Sequence, residues 1–526
     1  LRDRNMSRKD RGMKQLKDRK DHKVKQLKRQ NGLTSLQKAG YSFLAVYSVS
    51  ALVLLVACVK VDILPAGYVG IAALVLTAPG VLFGFMHRKL LMSITADILC
   101  VLLTAVSVTG CFYLEKLDST IAGISGTGME TEAVSVYVLA EDPAQTLADA
   151  ADYLFGVTLS ADRQQDGRSV SNETVQNKAI RDLEKALEKD LEIREYDSMF
   201  RMLDGLKDNA VGAVVISSSC AGLAADAEGY EWTAAGLREL TTVSYEVENQ
   251  TVQAVPEDVP ETFLMYLSGI DTYGGVLTRS RSDVNILAAV NTKAKEILLL
   301  STPRDSYVDF EAAGGVKDKL THAGIYGVEQ SVDALERLYD IDIDYYLRVN
   351  FTGFVDIIDA LGGITVYSEY DFSVQNIKDY HEGYNRLTGL EALAFARERY
   401  SFERGDYQRA ENQMEVIRAV ISKAATSSLL MNYGSVMDAV AGSFETNMPR
   451  EQISDLVKMQ LSDMASWNVT SYTTAGQSRY AQTYSMPGRQ LYVIVPDEDN
   501  VAEAKRLIAQ VYGAGEAKEE GAQARQ

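Results

Sequence analysis

Two groups of charged residues in the second half of the chain have types and spacing suited to gripping a phosphate. The first is Asp271, Arg279, Arg281, Asp283 and Arg304. FLMYLSGID is a hydrophobic run that ends on Asp271, and strand ends are where α/β sheets place ligand-contacting groups. VNILAAV and EILLLST, separated by NTKAK, read as an antiparallel hairpin. Its geometry brings Asp283, just before the first strand, and Arg304, just after the second, to the same open end. Pro303 fixes the chain direction there. The second group is Arg397, Arg399, Arg404 and Arg409, in FARERYSFERGDYQRAENQ. Arg397 and Arg399 share a face if a helix ends at Arg397 and the chain then runs extended. Gly405-Asp406 reads as a turn and N-cap, with Arg409 on the next helix's first turn. Guanidinium groups are forked, charged at any pH and bind oxyanions bidentately, so the chemistry indicated is phosphate or pyrophosphate binding. Solvated turns and ion pairs with Glu398, Glu403 and Glu411 are the competing reading.

Other chemistries find little support. Only His322 and His381 follow the apolar region, and Cys220 is the single cysteine there. That argues against a His-rich zinc site, leaves a Cys/His nucleophile pair few candidates and excludes an internal disulfide framework in that part.

These residues need a folded frame and a location. Residues 41–59, 67–86 and 94–114 are three apolar stretches of transmembrane length, giving a membrane segment over 41–114. Residues 1–40 carry +10 and His87-Arg88-Lys89 separates spans two and three, so the N-terminus and second loop are expected in the cytoplasm and everything after Leu114 outside the cell. Pro79 is expected to kink the second span. Asp97 is expected to lie at the interface or to be paired. The whole chain carries −19, so the part beyond the spans holds about −30, which argues against a nucleic-acid partner.

Past a Gly/Ser/Thr-rich link (122–131), AVSVYVLA reads as a strand, DPAQTLADAADYLFG as a helix, and NETVQNKAIRDLEKALEKDLEIREY as a charge-laced helical stretch. They belong to a small α/β accessory domain over 132–257 that carries no chemical constellation and closes at VPEDVPET. Residues 259–513 alternate strands and helices as one α/β domain with a sizeable core, and 514–526 reads as a disordered tail. The runs GFVDIIDAL and QMEVIRAVI suit the ordinary core or an apolar channel.

The segments FLMYLSGIDTYGG, RSRSDVNILAAVN, ILLLSTPRDSYV, KLTHAGIYG, DYYLRVNFTGFVDIIDALGGITV and LTGLEALAFARERYSFERGDYQRAENQMEVI occur in this order across 259–426. In them the domain resembles the LytR-CpsA-Psr family of cell-wall glycopolymer ligases, and the three-span anchor with an accessory domain is similar to its capsule-associated subgroup. The resemblance implies an α/β/α domain with a central mixed sheet. It also implies an enzyme that uses Mg2+ to move a glycan phosphate, from teichoic acid, capsular polysaccharide or a similar polymer, off a polyprenyl pyrophosphate carrier and onto peptidoglycan. By position, Asp271 and Asp283 would hold the metal, with Asp283 also a candidate base. Arg281, Arg304, Arg397, Arg399 and Arg409 would grip the pyrophosphate, with Asp283, Arg304 and Arg397 at the chemistry. TYGGVLTRSRSD and RAENQ depart from the family's more polar and more Arg/Gln-rich runs, which leaves Gln413 open as a secondary contact. A polyprenyl pyrophosphate receptor, a pyrophosphatase and a regulator of wall synthesis are the alternatives.

Overall fold

A computed structural model of the protein describes residues 35–61, 65–87, 90–124, 129–158, 175–225, 227–248, 255–272, 277–426 and 442–513. The basic head before residue 35 and the tail 514–526 lie outside the described residues. The chain divides into two compact units, Leu1–Asp118 and Ser119–Gln526.

In the first unit, helices α1 (Ser35–Val61), α2 (Ala66–Met86) and α3 (Leu90–Ile124) each contain a segment long and apolar enough to cross a membrane. α2 runs as one helix through Pro79. Tyr47, Ala51, Phe83, Ala96 and Cys100 pack where the three helices meet. Asp97 is paired: its Oδ1 lies 2.8 Å from Nε2 of His87, whose Nδ1 lies 2.6 Å from the Phe83 carbonyl.

The second unit begins with a five-stranded sheet of order β3-β2-β4-β1-β5, formed by β1 (Met129–Leu139), β2 (Leu154–Thr158), β3 (Glu192–Tyr196), β4 (Ala213–Ser217) and β5 (Leu237–Glu248). Helix α4 (Val175–Leu187) buries Ala179 and Leu183 against one face, and α5 (Met199–Lys207) buries Met202 and Leu206 against the other. Three expectations are corrected here. β1 opens at Met129, so the accessory sheet takes in the last residues of the stretch expected to be a link. DPAQTLADAADYLFG forms only a short 3-10 turn, Ala148–Ala150, before β2. The Asp149 carboxylate takes hydrogen bonds from the backbone N–H groups of Gln145 and Thr146 and from the Thr146 hydroxyl, and such local bonds compete with helix formation. EIREY is not helical but the edge strand β3, and its exposed charges suit an edge.

The larger part of this unit is built on a mixed six-stranded sheet. Its members are β6 (Thr262–Ile270), β7 (Ser282–Asn291), β8 (Glu296–Ser301), β9 (Tyr345–Asn350), and two strands far down the chain, Phe444–Thr446 and Asn468–Thr473. β6, β7 and β8 are antiparallel neighbours, and β9 pairs parallel to β6. One face packs Tyr266, Leu287 and Leu300 against α7 (Val328–Tyr339) and the C-terminal helix Glu498–Val511. The other packs Ile286, Ala288 and Leu299 against Met414, Ile417 and Ile421 of a long helix, Asp406–Ala424. Helices on both faces make the expected α/β/α arrangement and explain why β7 is apolar on both sides. The runs GFVDIIDAL and QMEVIRAVI contribute Ile358, Met414 and Val416 to ordinary core clusters.

Glu329, on the first turn of α7, carries a testable charge. Burial, with Glu130 nearby, raises its carboxyl to about 7. A folded-state value above the unfolded one favours the protonated form, so stability falls as pH rises from about 4.5 through 7. Glu329→Gln, which mimics the protonated acid, is expected to match the wild type at pH 4.5 and to exceed it by about 3 kcal/mol at pH 8, read by urea unfolding at both pH values. A gain independent of pH would refute this account.

Candidate active site

The β7–β8 hairpin sets the first part of the site. Its register pairs Ile286 with Ser301, and the Thr302 N–H bonds the Asn285 carbonyl at 2.9 Å. Continued in step, that register sets Asp283 opposite Arg304, and Arg304 Nη1 donates to Asp283 Oδ2 at 2.8 Å. On its other side β7 is bulged: Gly269 faces Val284 and Ile270 faces Ser282, so Asp283 is the extra residue. The bulge leaves Asp283 outside the ladder with β6. The second carboxylate oxygen accepts from the Thr321 hydroxyl at 3.0 Å, on the short helix α6 (Leu320–Ala323).

The second part comes from two helices. α9 (Gly389–Arg397) starts with a capping box between Thr388 and Glu391 and ends at Arg397, after which Glu398 is extended. α10 (Asp406–Ala424) follows Gly405, whose φ of +51° suits a glycine at that turn. Asn412 and Gln413 of α10 donate to the Phe395 and Ala396 carbonyls, fastening the end of α9. Asp406 is not the N-cap expected of it; it opens the first turn and lies 3.3 Å from Arg409 and 3.6 Å from Arg399.

Asp283, Arg304, Asp406, Arg409 and Gln413 line one cleft, together with Asn285, Thr302 and Thr473. Arg409 is only 12 % exposed, and burial pulls its guanidinium below its ordinary value. The charges it feels are Asp406, Asp283, Arg304 and Arg399, so the hairpin and the helix start form one electrostatic group. An adjoining group stands at the end of β6 and the entry to β7. Arg281 donates to Asp271 at 2.9 Å, and Arg397 lies 3.9 Å from the same carboxylate with its guanidinium 4.2 Å from the ring of Phe351, the first residue of α8 (Phe351–Ala360).

The structure therefore places all seven expected residues in these two adjoining groups. Arg404 stands apart, in a two-pronged ion pair with Glu411, as the structural reading of that arginine had it. Thr321 and Asp406 were missed as site residues. Thr321 sits inside the quoted segment KLTHAGIYG, but nothing local marks it as Asp283's partner. Five guanidiniums face three carboxylates, a surplus of two positive charges that favours a multivalent anion. Thr321→Val keeps the shape and removes the donor, so it is expected to lower turnover about tenfold with little change in thermal transition. Turnover equal to wild type would show that the Thr321 contact is idle.

A serine–histidine relay is not formed at His322. Both Asp318 and Ser485 contact the same ring nitrogen, Nδ1, so the second nitrogen is not aimed at the hydroxyl. Among the described residues no group of three or more His, Cys, Asp or Glu side chains is arranged to hold a metal. Asp271 and Asp283 still fit the donor chemistry of Mg2+, which usually binds through one or two carboxylates plus substrate phosphates.

A protein of Bacillus cereus named polyisoprenyl-teichoic acid–peptidoglycan teichoic acid transferase TagU is 39% identical over 199 residues, which is 38% of this chain and 64% of that relative. A protein of the same name from Halalkalibacterium halodurans is 34% identical over 247 residues, 45% of this chain and 76% of the relative. The crystal structure of B. subtilis TagV aligns at 27% identity and a TM-score of 0.41, over 48% of this chain and 97% of its own. The LytR_cpsA_psr family model matches residues 234–500, about half of the chain. That match takes in both groups of the site, and the chain belongs to the LytR-CpsA-Psr family.

Proposed function

We propose that the protein is a membrane-anchored phosphotransferase that moves a glycan phosphate from a polyprenyl pyrophosphate carrier onto peptidoglycan, outside the cell. The carrying observation is the cleft where Arg304 and Arg409 stand with Asp283 and Asp406, beside Arg281 and Arg397 on Asp271. The names of the curated relatives, teichoic acid transferases acting between a polyisoprenyl carrier and peptidoglycan, support the same substrates. The basic loops of the sequence support a cytoplasmic N-terminus and an external site.

The reaction is a displacement at phosphorus. An acceptor hydroxyl oxygen forms a bond to the phosphorus that bears the glycan, and that phosphorus loses its bond to the bridging oxygen. Polyprenyl monophosphate leaves with the bond's electron pair, and the hydroxyl proton passes to a carboxylate or to solvent. Positioning and charge neutralisation supply most of the catalysis in such reactions. Arg304 and Arg409, held by Asp283 and Asp406, are oriented before the anion arrives and bind its oxygens without reorganising. Arg281, Arg397 and Arg399 complete the cradle. Asp271 and Asp283 would hold Mg2+, which supplies further charge neutralisation on the phosphates. Both Asp283 oxygens already accept hydrogen bonds, from Arg304 and Thr321, which suits that carboxylate to holding the arginine and a metal.

The test is transfer from a short-chain prenyl pyrophosphate glycan to wall glycan by the full-length protein in detergent, with and without Mg2+. Metal-dependent appearance of glycan on the acceptor is the expected result. Binding of the donor without transfer would replace the enzyme by a lipid-pyrophosphate receptor, and release of glycan phosphate and prenyl monophosphate into solution with no glycan on the acceptor would replace it by a pyrophosphatase.

A further inference from the structure

The accessory sheet is joined to the catalytic sheet by more than a linker. Near the start of β1 the Thr131 N–H bonds the Leu277 carbonyl at 2.8 Å, and the Arg279 N–H bonds the Thr131 carbonyl at 2.9 Å. The strand thus pairs with the short segment that leads into β7. Behind that pairing is Glu130, whose side chain is fully buried. Its Oε2 accepts from Arg279 Nε at 2.8 Å. Its Oε1 accepts from Arg348 Nη1 at 2.7 Å and from the Val328 N–H at 3.2 Å. Arg348, on β9 next to the edge strand Phe444–Thr446 of the catalytic sheet, is itself buried and held by Glu445.

One carboxylate of the accessory domain therefore ties three catalytic-domain elements together: the segment entering β7, the start of α7 and β9. The segment is the informative one. Arg279 is two residues from Arg281, and between them the chain presses on Gly324, where a Cβ would come within 2.7 Å of the Ser280 carbonyl. Fixed at Arg279 by Glu130 and Thr131, and at Ser280 by Gly324, the backbone has little freedom in presenting Arg281 to Asp271. Both Glu130 oxygens are bonded, and Arg279 also lies 3.6 Å from Glu132 and 4.0 Å from Glu329, so buried charges hold this segment in one place.

We propose that Glu130 is a positioning residue: through Arg279 it sets the place of Arg281, making the accessory domain part of the donor site. This rests on the pyrophosphate-binding role proposed for Arg281. The experiment uses the full-length protein in detergent, titrated with farnesyl pyrophosphate, together with backbone hydrogen exchange over residues 277–283. Glu130→Gln is expected to lower the thermal transition, because Arg279 and Arg348 lose a buried counter-charge while Glu445 still holds Arg348, to weaken farnesyl pyrophosphate binding about tenfold, in the range of coupling between linked sites, and to speed exchange in 277–283. In an Arg281→Ala background the same substitution is expected to change affinity no further, because its effect runs through that side chain. An equal loss in that background would overturn the proposal, as would unchanged affinity with unchanged exchange. Should Glu130→Gln fail to fold, Arg279→Lys, which keeps the charge and loses the Nε contact, carries the same double cycle. If the wild type binds no pyrophosphate, the proposed function falls, and exchange over 277–283 alone decides whether Glu130 positions the segment.

Discussion

Arg409→Lys is expected to lower transfer by about 10²-fold at neutral pH, with a loss that deepens as pH rises. The wild-type guanidinium stands largely buried beside Asp406, with Arg304 and Arg399 also in its field. An arginine remains charged there because its ordinary value is far above neutrality, even after burial lowers it. A lysine in that place starts lower, suffers the same desolvation and the same repulsion from two guanidiniums, and loses its proton more readily. The sign follows: a depressed amine is charged, and able to bind phosphate, only below its folded-state value, so activity is recovered on the acid side. It also presents a point charge where the fork reached two oxygens. Measuring kcat/KM against pH for Arg409→Lys and Arg409→Ala separates the two losses, since the alanine variant has no charge to recover. A lysine variant with wild-type activity at pH 9 would show that Arg409 does not meet the phosphates.

Much of this arrangement was legible in the residues because it is local. The Asp283–Arg304 pair follows from hairpin register alone, given two apolar runs and a short connection. The break of α9 at Arg397 was the condition for Arg397 and Arg399 to share a face, and the extended Glu398 meets it. The two arginines nonetheless find different carboxylates, Asp271 and Asp406, because the chain after Glu398 leads toward α10. The failures have a different physical origin. Thr321 meets Asp283 across 38 positions, and Glu130 meets Arg348 across 218, so no periodicity or cap can signal either contact. Asp406 looks like a cap because aspartate is a favoured N-cap residue, but its carboxylate is drawn to two arginines instead of its own helix's N–H groups. In the accessory domain, β3 reads as helix from its charges, and only its edge position makes those charges compatible with a strand.

The Asp283–Arg304 pair carries the other large effect, and it can be used to separate two roles of one carboxylate. Asp283→Asn is expected to lower turnover by about 10²- to 10³-fold, because Arg304, 15 % exposed, loses the partner that orients it. Arg304→Ala is expected to fall by a similar factor, and the double variant Asp283→Asn/Arg304→Ala no further than the worse single, since both remove one contact. Magnesium tells the rest. If Asp283 also holds the metal, Asp283→Asn requires more Mg2+ for half-maximal rate, whereas Arg304→Ala keeps the wild-type requirement. We expect that split, because the donor chemistry of Asp271 and Asp283 matches a cation shared with substrate phosphates. An Asp283→Asn variant with the wild-type requirement would confine that carboxylate to holding Arg304 and leave Asp271 as the candidate metal ligand. The arginine cleft would then do most of the charge neutralisation, and its surplus of positive charge, more than any metal, would set the preference for a pyrophosphate over a monophosphate ester.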